Sequence, residues 1–513
     1  MIRKIRLASG FFTVGIWTLL SKVLGFVRDI MIASAMGSGP VAQAFLIAFS
    51  LPNMFRRFFA EGAFNTAFVP MFSKKVEAGD NAEEFAREAF SGLASIVLVT
   101  VLLGQIFMPF LVLAMASGFA DDARFALTVS YGRIVFPYIL FISMAALLSG
   151  VLNAIGRFAA AAAAPVLLNI ILVSAMYLAQ YMGWEIGVAL SWAVLLAGFV
   201  QMALVWGAAH KAGITLLPRR PRLSPDMKRL AIIALPAAMA GGVVQINLLV
   251  GRQVASYFDG AVAWLSYADR LYQLPLGVVG IAIGVVLLPD LSRKLRAKDD
   301  AGGNYSLNRA AEFSLALTLP SAVALMVIPT ALVSVLFQRG AFDAVDTANT
   351  ALAVAIYGAG LPSFVLAKVL APLFFAREDT KSPFRYAVVS MVINAGLAIG
   401  LSPYIGFLAA AIGTSVAGWS MLGLLWLGSR KLGTAARMDA RLKGKLPKIG
   451  LASVAMGVAL FGAAYVLEPW LYGSPLRYAA LTALIAVGGV VYAAAIMTTG
   501  ALRLSDVKAM LRR

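Results

Sequence analysis

The amino-acid sequence predicts an all-α polytopic membrane protein: about fourteen transmembrane helices, arranged as two parallel six-helix repeats around a central cavity, plus two extra C-terminal helices. Three observations lead there. The chain of 513 residues is 61% hydrophobic and 13% charged, with a mean hydropathy of +0.86, whereas a soluble domain is about 25% charged. Apolar runs of about 20 residues, enough to cross a bilayer as a helix, recur from end to end. Short segments of the first half return in the second half at a nearly constant offset. The chain has no cysteine, which excludes a disulfide framework, a thiol nucleophile and a thiolate metal site.

The first span, 9–36, follows the basic start "MIRKIR" and contains Gly15 and Gly25. Its opening also has the pattern of a signal peptide, but Lys22, Arg28 and Asp29 precede any small-residue cleavage site such as Ala33–Ala35, so it is read as a retained helix. Span 2, 40–72, is interrupted by Pro52 just before Arg56. Spans 3 to 6 take 88–116, 123–152, 158–181 and 184–209; Asp121–Asp122 stands ahead of span 4 as a cap. The alanine run 159–164 in span 5 is read as a close helix-packing surface. These six spans make an N-lobe, 1–210, followed by a basic linker, 211–228. Spans 7 to 12, at 229–257, 260–290, 310–337, 346–376, 383–402 and 405–429, make a C-lobe, 229–430, with Pro275 inside span 8. A second basic linker, 431–446, leads to spans 13 and 14 at 447–467 and 477–501, which with the tail complete 447–513.

The repeat is carried by several matches in order. "VPMFSKK" (69–75) matches "LPDLSRK" (288–294), Pro109 matches Pro329, and Pro137 and Asn169 are spaced as Pro362 and Asn394 are. Six spans return the chain to its starting side, so the halves share one orientation and face each other across a cleft, an arrangement suited to alternating access. With residues at the first turn of a span counted to the adjoining side, 32 of the 43 Lys and Arg lie on the side of both termini, 3 (Arg124, Arg339, Arg477) on the other and 8 deeper within spans. The positive-inside rule then places both termini in the cytoplasm. Loops that set topology and meet anionic lipid account for most of the +19 net charge, so nucleic acid is not called for.

The eight cations within spans are Lys22, Arg28, Arg56, Arg57, Arg133, Arg252, Arg270 and Lys368. Asp29, Glu61 and Asp269, with Asp290 at a span end, are their possible partners, so cations outnumber anions about two to one. A surplus of buried positive charge calls for an anion or water. Arg57 and Glu61 are spaced i, i+4, so an internal ion pair competes with a ligand role; Arg56, 100° round the helix, is the better ligand. Lys22 can snorkel to the interface, and Arg133 and Lys368 stand near span prolines in a structural role. Arg28 and Arg252 fall at equivalent places of the repeat, and Arg270 lies about ten residues into span 8, near the midplane. Guanidinium forks bind phosphate oxygens bidentately, so this set reads as a phosphate or pyrophosphate site.

"SKVLGFVRDIMIASAMG", "LPNMFRRFFAEGAFNTAFVPMFSKK" and "WLSYADRLYQLPLGVVGIAIGVVLLPDLSRK" resemble the MurJ (MviN) family of lipid II flippases, in the multidrug/oligosaccharidyl-lipid/polysaccharide exporter superfamily. The resemblance covers essentially the whole chain. It implies a multi-pass protein of the bacterial inner (plasma) membrane that moves lipid II, the undecaprenyl-pyrophosphate-linked disaccharide pentapeptide, from the cytoplasmic to the periplasmic leaflet. By the same resemblance Arg28, Asp29 and Arg252 match the family's central arginine–aspartate–arginine cluster, and Arg56, Arg57, Glu61 and Arg270 its other cavity charges. Lys22 stands where the family often has arginine. Spans 13 and 14 match a groove for the lipid tail. One departure concerns sodium: spans 7, 11 and 12 here contain no Asp or Glu, and Asn394 and Thr414 are the nearest candidate ligands.

The basic cavity argues against a cation drug exporter; a flippase of another polyprenyl-pyrophosphate-linked oligosaccharide would use the same arginines. An enzyme is disfavoured, because the only histidine, His210, lies at a span end and no acid pair or metal cluster falls at membrane depth. No cofactor or metal is expected; the expected partners are lipid II and membrane lipids, and the expected state is a monomer.

Overall fold

The computed structural model describes residues 7–57, 63–282, 288–297, 299–433 and 436–501. Nineteen α-helices account for nearly all the regular structure of the described residues, which contain no strand beyond an isolated bridge between Arg339 and Phe342. By packing, the chain forms two compact units, Met1–Ala263 and Trp264–Arg513.

The first unit contains α1 (Leu7–Met36), α2 (Pro40–Arg56), α3 (Ala63–Ala78), α4 (Ala82–Ile106), α5 (Met108–Ala116), α6 (Ala123–Val135), α7 (Tyr138–Ala154), α8 (Ala159–Met182), α9 (Ile186–Lys211) and α10 (Pro225–Ser256). Proline decides where expected spans break into two helices. It offers no N–H and its ring collides with the preceding turn, so span 3 divides at Phe107, ahead of Pro109, and span 4 divides at Pro137. Caps fix the starts: Asp122 accepts from the Arg124 amide at 2.7 Å to open α6, and Ser224 caps α10 with Pro225 at its first position. α8 lies between α1 and α9, α2 lies on α6, and α10 packs along α3 and α5. The interior is filled by aromatic side chains with almost no exposure, among them Phe45, Phe68, Phe136 and Tyr138.

The second unit contains most of α11 (Ala261–Ala282), then α12 (Leu288–Arg296), α13 (Asp300–Val327), α14 (Pro329–Phe337), α15 (Ala344–Phe375), α16 (Lys381–Ile405), α17 (Leu408–Ser429), α18 (Ala440–Leu471) and α19 (Arg477–Thr498). Pro329 breaks span 9 as Pro109 breaks span 3, whereas Pro362 sits inside an unbroken α15. α17 packs against both α15 and α16, and α13 joins α15 to the final pair α18–α19. Helices without a hydrophobic drive between them associate through close approach of small residues. Gly413 is such a point: a Cβ there would stand 2.6 Å from the amide oxygen of Asn394.

Among the described residues, ten helical segments are long and apolar enough to cross a bilayer, at ten of the fourteen expected positions. The helices at the other four, α1, α2–α3, α10 and α11–α12, carry Lys22, Arg28, Asp29, Arg56, Arg252 and Arg270. Large apolar side chains such as Ile106, Phe110 and Val490 point away from the protein, as a lipid-facing surface requires.

Candidate functional site

Arg28 and Asp29 lie side by side on α1, both buried. The Asp29 Oδ1 accepts from Arg28 Nε at 3.0 Å and from Nη2 at 2.7 Å. A third bond comes from α8, where Asn169 Oδ1 accepts from Arg28 Nη1 at 2.9 Å. The Phe49 ring of α2 lies 5.9 Å from the guanidinium carbon. A guanidinium has five N–H donors, so two remain, one on each Nη, with no partner among the described residues. They stand on the two Nη nitrogens, the atoms through which a guanidinium fork pairs with oxygens of a phosphate. The pair is neutral as a whole, so Arg28 is a balanced charge with free N–H donors. The sequence counted Asp29 as a possible partner of Arg28 and did not anticipate Asn169.

The other expected residues are distributed as follows. Lys22 is exposed on α1; Arg56 ends α2 half-buried, and Arg57 directly after it is exposed. Glu61 lies outside the described residues, and with it the expected Arg57–Glu61 pair. Arg252 is half-buried near the carboxyl end of α10, in the same unit as Arg28, while Arg270 is exposed on α11 in the second unit. Arg133 and Lys368 are both exposed.

The α10 segment around Arg252 is held by a polar seam. Gln253 Oε1 accepts from the Ser117 amide at 3.1 Å, Ser256 Oγ accepts from the Gly118 amide at 3.0 Å, and Tyr257 OH is 2.7 Å from Ser117 Oγ. Gly118 permits this approach, since a Cβ there would stand 2.5–2.6 Å from backbone atoms of Ser256 and Tyr257. Beside the seam is a residue that charge counting assigned to an outer loop. Arg124 is 6% exposed; it bonds Asp122, Asp259 at 3.2 Å and Gln43 at 3.2 Å, and lies over the Phe119 ring. Its hydrogen bonds hold the Asp122 carboxyl below the usual carboxylate range, against the opposing effect of burial.

In the second unit Glu312, 1% exposed, takes three cations. Arg309 reaches it from the same helix; Arg441 at 3.1 Å and Lys445 at 2.6 Å reach it from α18. Arg309 also pairs with Asp439, which caps α18. This cluster fastens α18 to α13. Next to it is a cavity of about 580 Å³ between α13, α15, α17 and α18, lined almost wholly by apolar groups, with Trp419 and Trp426 in its wall and Arg437 at its edge. Such a space accepts an alkyl chain. No residue of α19 lines it. Elsewhere in this unit, Asn394 is fully buried beside Gly413, and Thr414 donates to the Ala410 carbonyl at 2.9 Å.

Comparison with known proteins decides the family. The family model described as "Lipid II flippase MurJ" matches residues 32–481. The chain belongs to the MurJ family. A curated relative, the probable lipid II flippase MurJ of Rhizobium meliloti (strain 1021), is 45% identical across 99% of this chain and 96% of its own length. Among solved structures, the lipid II flippase MurJ in an inward closed conformation superposes with a TM-score of 0.77 at 25% identity, covering 94% of this chain and 97% of that one. An inward-facing multidrug resistance MATE family transporter of the MOP superfamily gives 0.67 at 15% identity, covering 82% and 96%; that likeness concerns the fold alone. The expected family and the all-helical polytopic fold class are both borne out; the count of fourteen spans goes beyond the ten seen among the described residues.

Proposed function

We propose that the protein moves lipid II from the cytoplasmic to the periplasmic leaflet of the bacterial inner membrane. The single observation that carries this reading is the match to lipid II flippase MurJ over residues 32–481. The free donors of the Arg28 fork support it from the chemistry. In this reading the chain crosses the membrane fourteen times with both termini in the cytoplasm, and its lobes open alternately to either side. Arg28, Arg252 and Arg270, with Arg56, Arg57 and Lys22, bind the pyrophosphate, whose dispersed negative charge suits guanidinium forks. Asp29 and Glu61 balance the arginines when the cavity is empty. The apolar cavity beside α18 takes part of the polyprenyl tail. The substrate leaves chemically unchanged, and the protein works as a monomer without a cofactor.

The test is translocation of lipid II in proteoliposomes. Arg28→Ala and Arg252→Ala should each abolish flipping in protein that still folds and inserts, and lysine should rescue poorly because a point charge replaces a fork. Normal transport by both alanine variants would sink the assignment. Equal binding of another polyprenyl-pyrophosphate-linked oligosaccharide would redirect it to a different cargo.

A further inference from the structure

We propose that Asn169 is a positioning residue for Arg28, fixing the guanidinium so that its free N–H donors face the anionic headgroup. The inference rests on the reading of Arg28 as a pyrophosphate ligand.

Asn169 is 4% exposed in an otherwise apolar stretch of α8. A buried amide in such a helix is costly unless its bonds are made, and here they are made in a directed way. Nδ2 donates to the Ser21 carbonyl at 2.9 Å and to the Pro165 carbonyl at 3.4 Å, while Oδ1 accepts from Arg28. Turning the amide over would set an NH₂ against a guanidinium and an oxygen against two carbonyls, so only one orientation is consistent with the surroundings. Ser21 lies two turns before Arg28 on α1, and between them Gly25 lies against the amide, where a Cβ would be 3.5 Å from Nδ2. Asn169 therefore grips α1 at its backbone and at its charge together. Asp29 holds one side of the fork and Asn169 the Nη1 corner. With two sides fixed, the plane of the guanidinium cannot rotate, and the free N–H pair keeps one direction. Such preorganisation is what a bidentate phosphate ligand needs.

A residue that merely joined α1 to α8 would satisfy the same burial, so the test must separate orientation from packing. Binding of fluorescent lipid II to the full-length protein in nanodiscs provides it. Asn169→Ala should weaken binding roughly tenfold, the worth of one hydrogen bond to a charged group. In the Arg28→Lys background no fork remains to orient, and the same substitution should change affinity by less than about twofold. Equal losses in both backgrounds would overturn the inference and leave the reading of Arg28 intact. Undiminished binding by Arg28→Ala would overturn the reading itself. Should Asn169→Ala fail to fold, Asn169→Asp, of nearly the same size, sets a second carboxylate against the fork. It should weaken lipid II binding in folded protein, and native-like affinity would overturn the inference.

Discussion

Replacing Glu312 with glutamine tests how the last two helices are fastened to the rest of the chain. The substitution keeps the size of the side chain and removes the charge that Arg309, Arg441 and Lys445 share. These cations do not lose equally. Arg309 keeps Asp439, and the Arg441 side chain, 39% exposed, can turn to water, where such pairs are worth little. Lys445, 13% exposed, is the more enclosed of the two that come from α18 and feels the loss most. Removing one partner of a buried ion pair costs about 3–5 kcal/mol. The partial compensation at Arg309 and Arg441 places the expected loss near the lower end, about 3 kcal/mol. Reversible unfolding in mixed detergent micelles measures it, with hydrogen exchange over 440–450 locating the change at the start of α18. Adding Lys445→Met to Glu312→Gln should recover part of the loss, because the enclosed cation that lost its Glu312 contact is removed with it. A destabilisation under about 1 kcal/mol, the range of a surface pair, would refute the reasoning, as would faster exchange elsewhere but not at α18.

Four further outcomes are expected. Gly118→Val should undock the 117–118 turn from α10, since the obstruction is backbone rather than a movable side chain; overpacking of this kind costs about 1–3 kcal/mol, and unchanged exchange at 253–259 would contradict it. Asp122 has a folded-state pKa below its ordinary value because of Arg124, so its contribution is present above the usual carboxylate range and is lost as pH falls through the folded value. Asp122→Asn should therefore flatten the acid limb of the stability profile, and an unaltered limb would count against the pair. If the cargo carries two net negative charges, an inside-negative potential of 100 mV favours its outward movement by roughly 4–5 kcal/mol. Flipping in sodium-free proteoliposomes should then persist with the potential and slow sharply without it, whereas a strict sodium requirement would exclude this drive. Single cysteines placed in 430–447 of this cysteine-free chain should resist an impermeant thiol reagent applied from the periplasm, and labelling there would break the fourteen-span topology.

The helices were legible because lipid demands long apolar runs, but the breaks were not: Pro52, expected to interrupt span 2, lies within an unbroken α2, whereas Pro109 and Pro329, noted only as repeat markers, are where spans divide. Pro109 and Pro329 mark equivalent breaks in α4–α5 and α13–α14. The repeat misled at Pro137 and Pro362, which share spacing but not consequence: one divides α6 from α7, the other lies within α15. Arg28 stood out as a charge in an apolar run, and Asp29 as its neighbour. Asn169 was visible only as a repeat marker, because its bond to Arg28 spans 141 residues. Arg124 and Glu312 were missed for the same reason. Their partners Gln43, Arg441 and Lys445 lie 81, 129 and 133 residues away; Arg124 was placed with the cations of the outer side, and Glu312, just inside span 9, was left out of the acidic partners.

The contrast between Asp29 and Asn169 also bears on how the chain is made. Asp29 is the residue next to Arg28, so their bond is available as soon as α1 leaves the ribosome. Asn169 comes 141 residues later. Until α8 arrives, α1 meets the bilayer with only its own carboxylate to offset an arginine that, at the centre of a lone helix, costs about 2.5–3.5 kcal/mol. We hypothesise that Asp29 acts first as an insertion partner and only later as a member of the site. Asp29→Asn should then lower the insertion of a truncated chain ending before α8, scored by glycosylation of an engineered tag, and equal insertion would end the idea. One carboxylate would serve the newborn α1 first and the packed α1–α8 pair later.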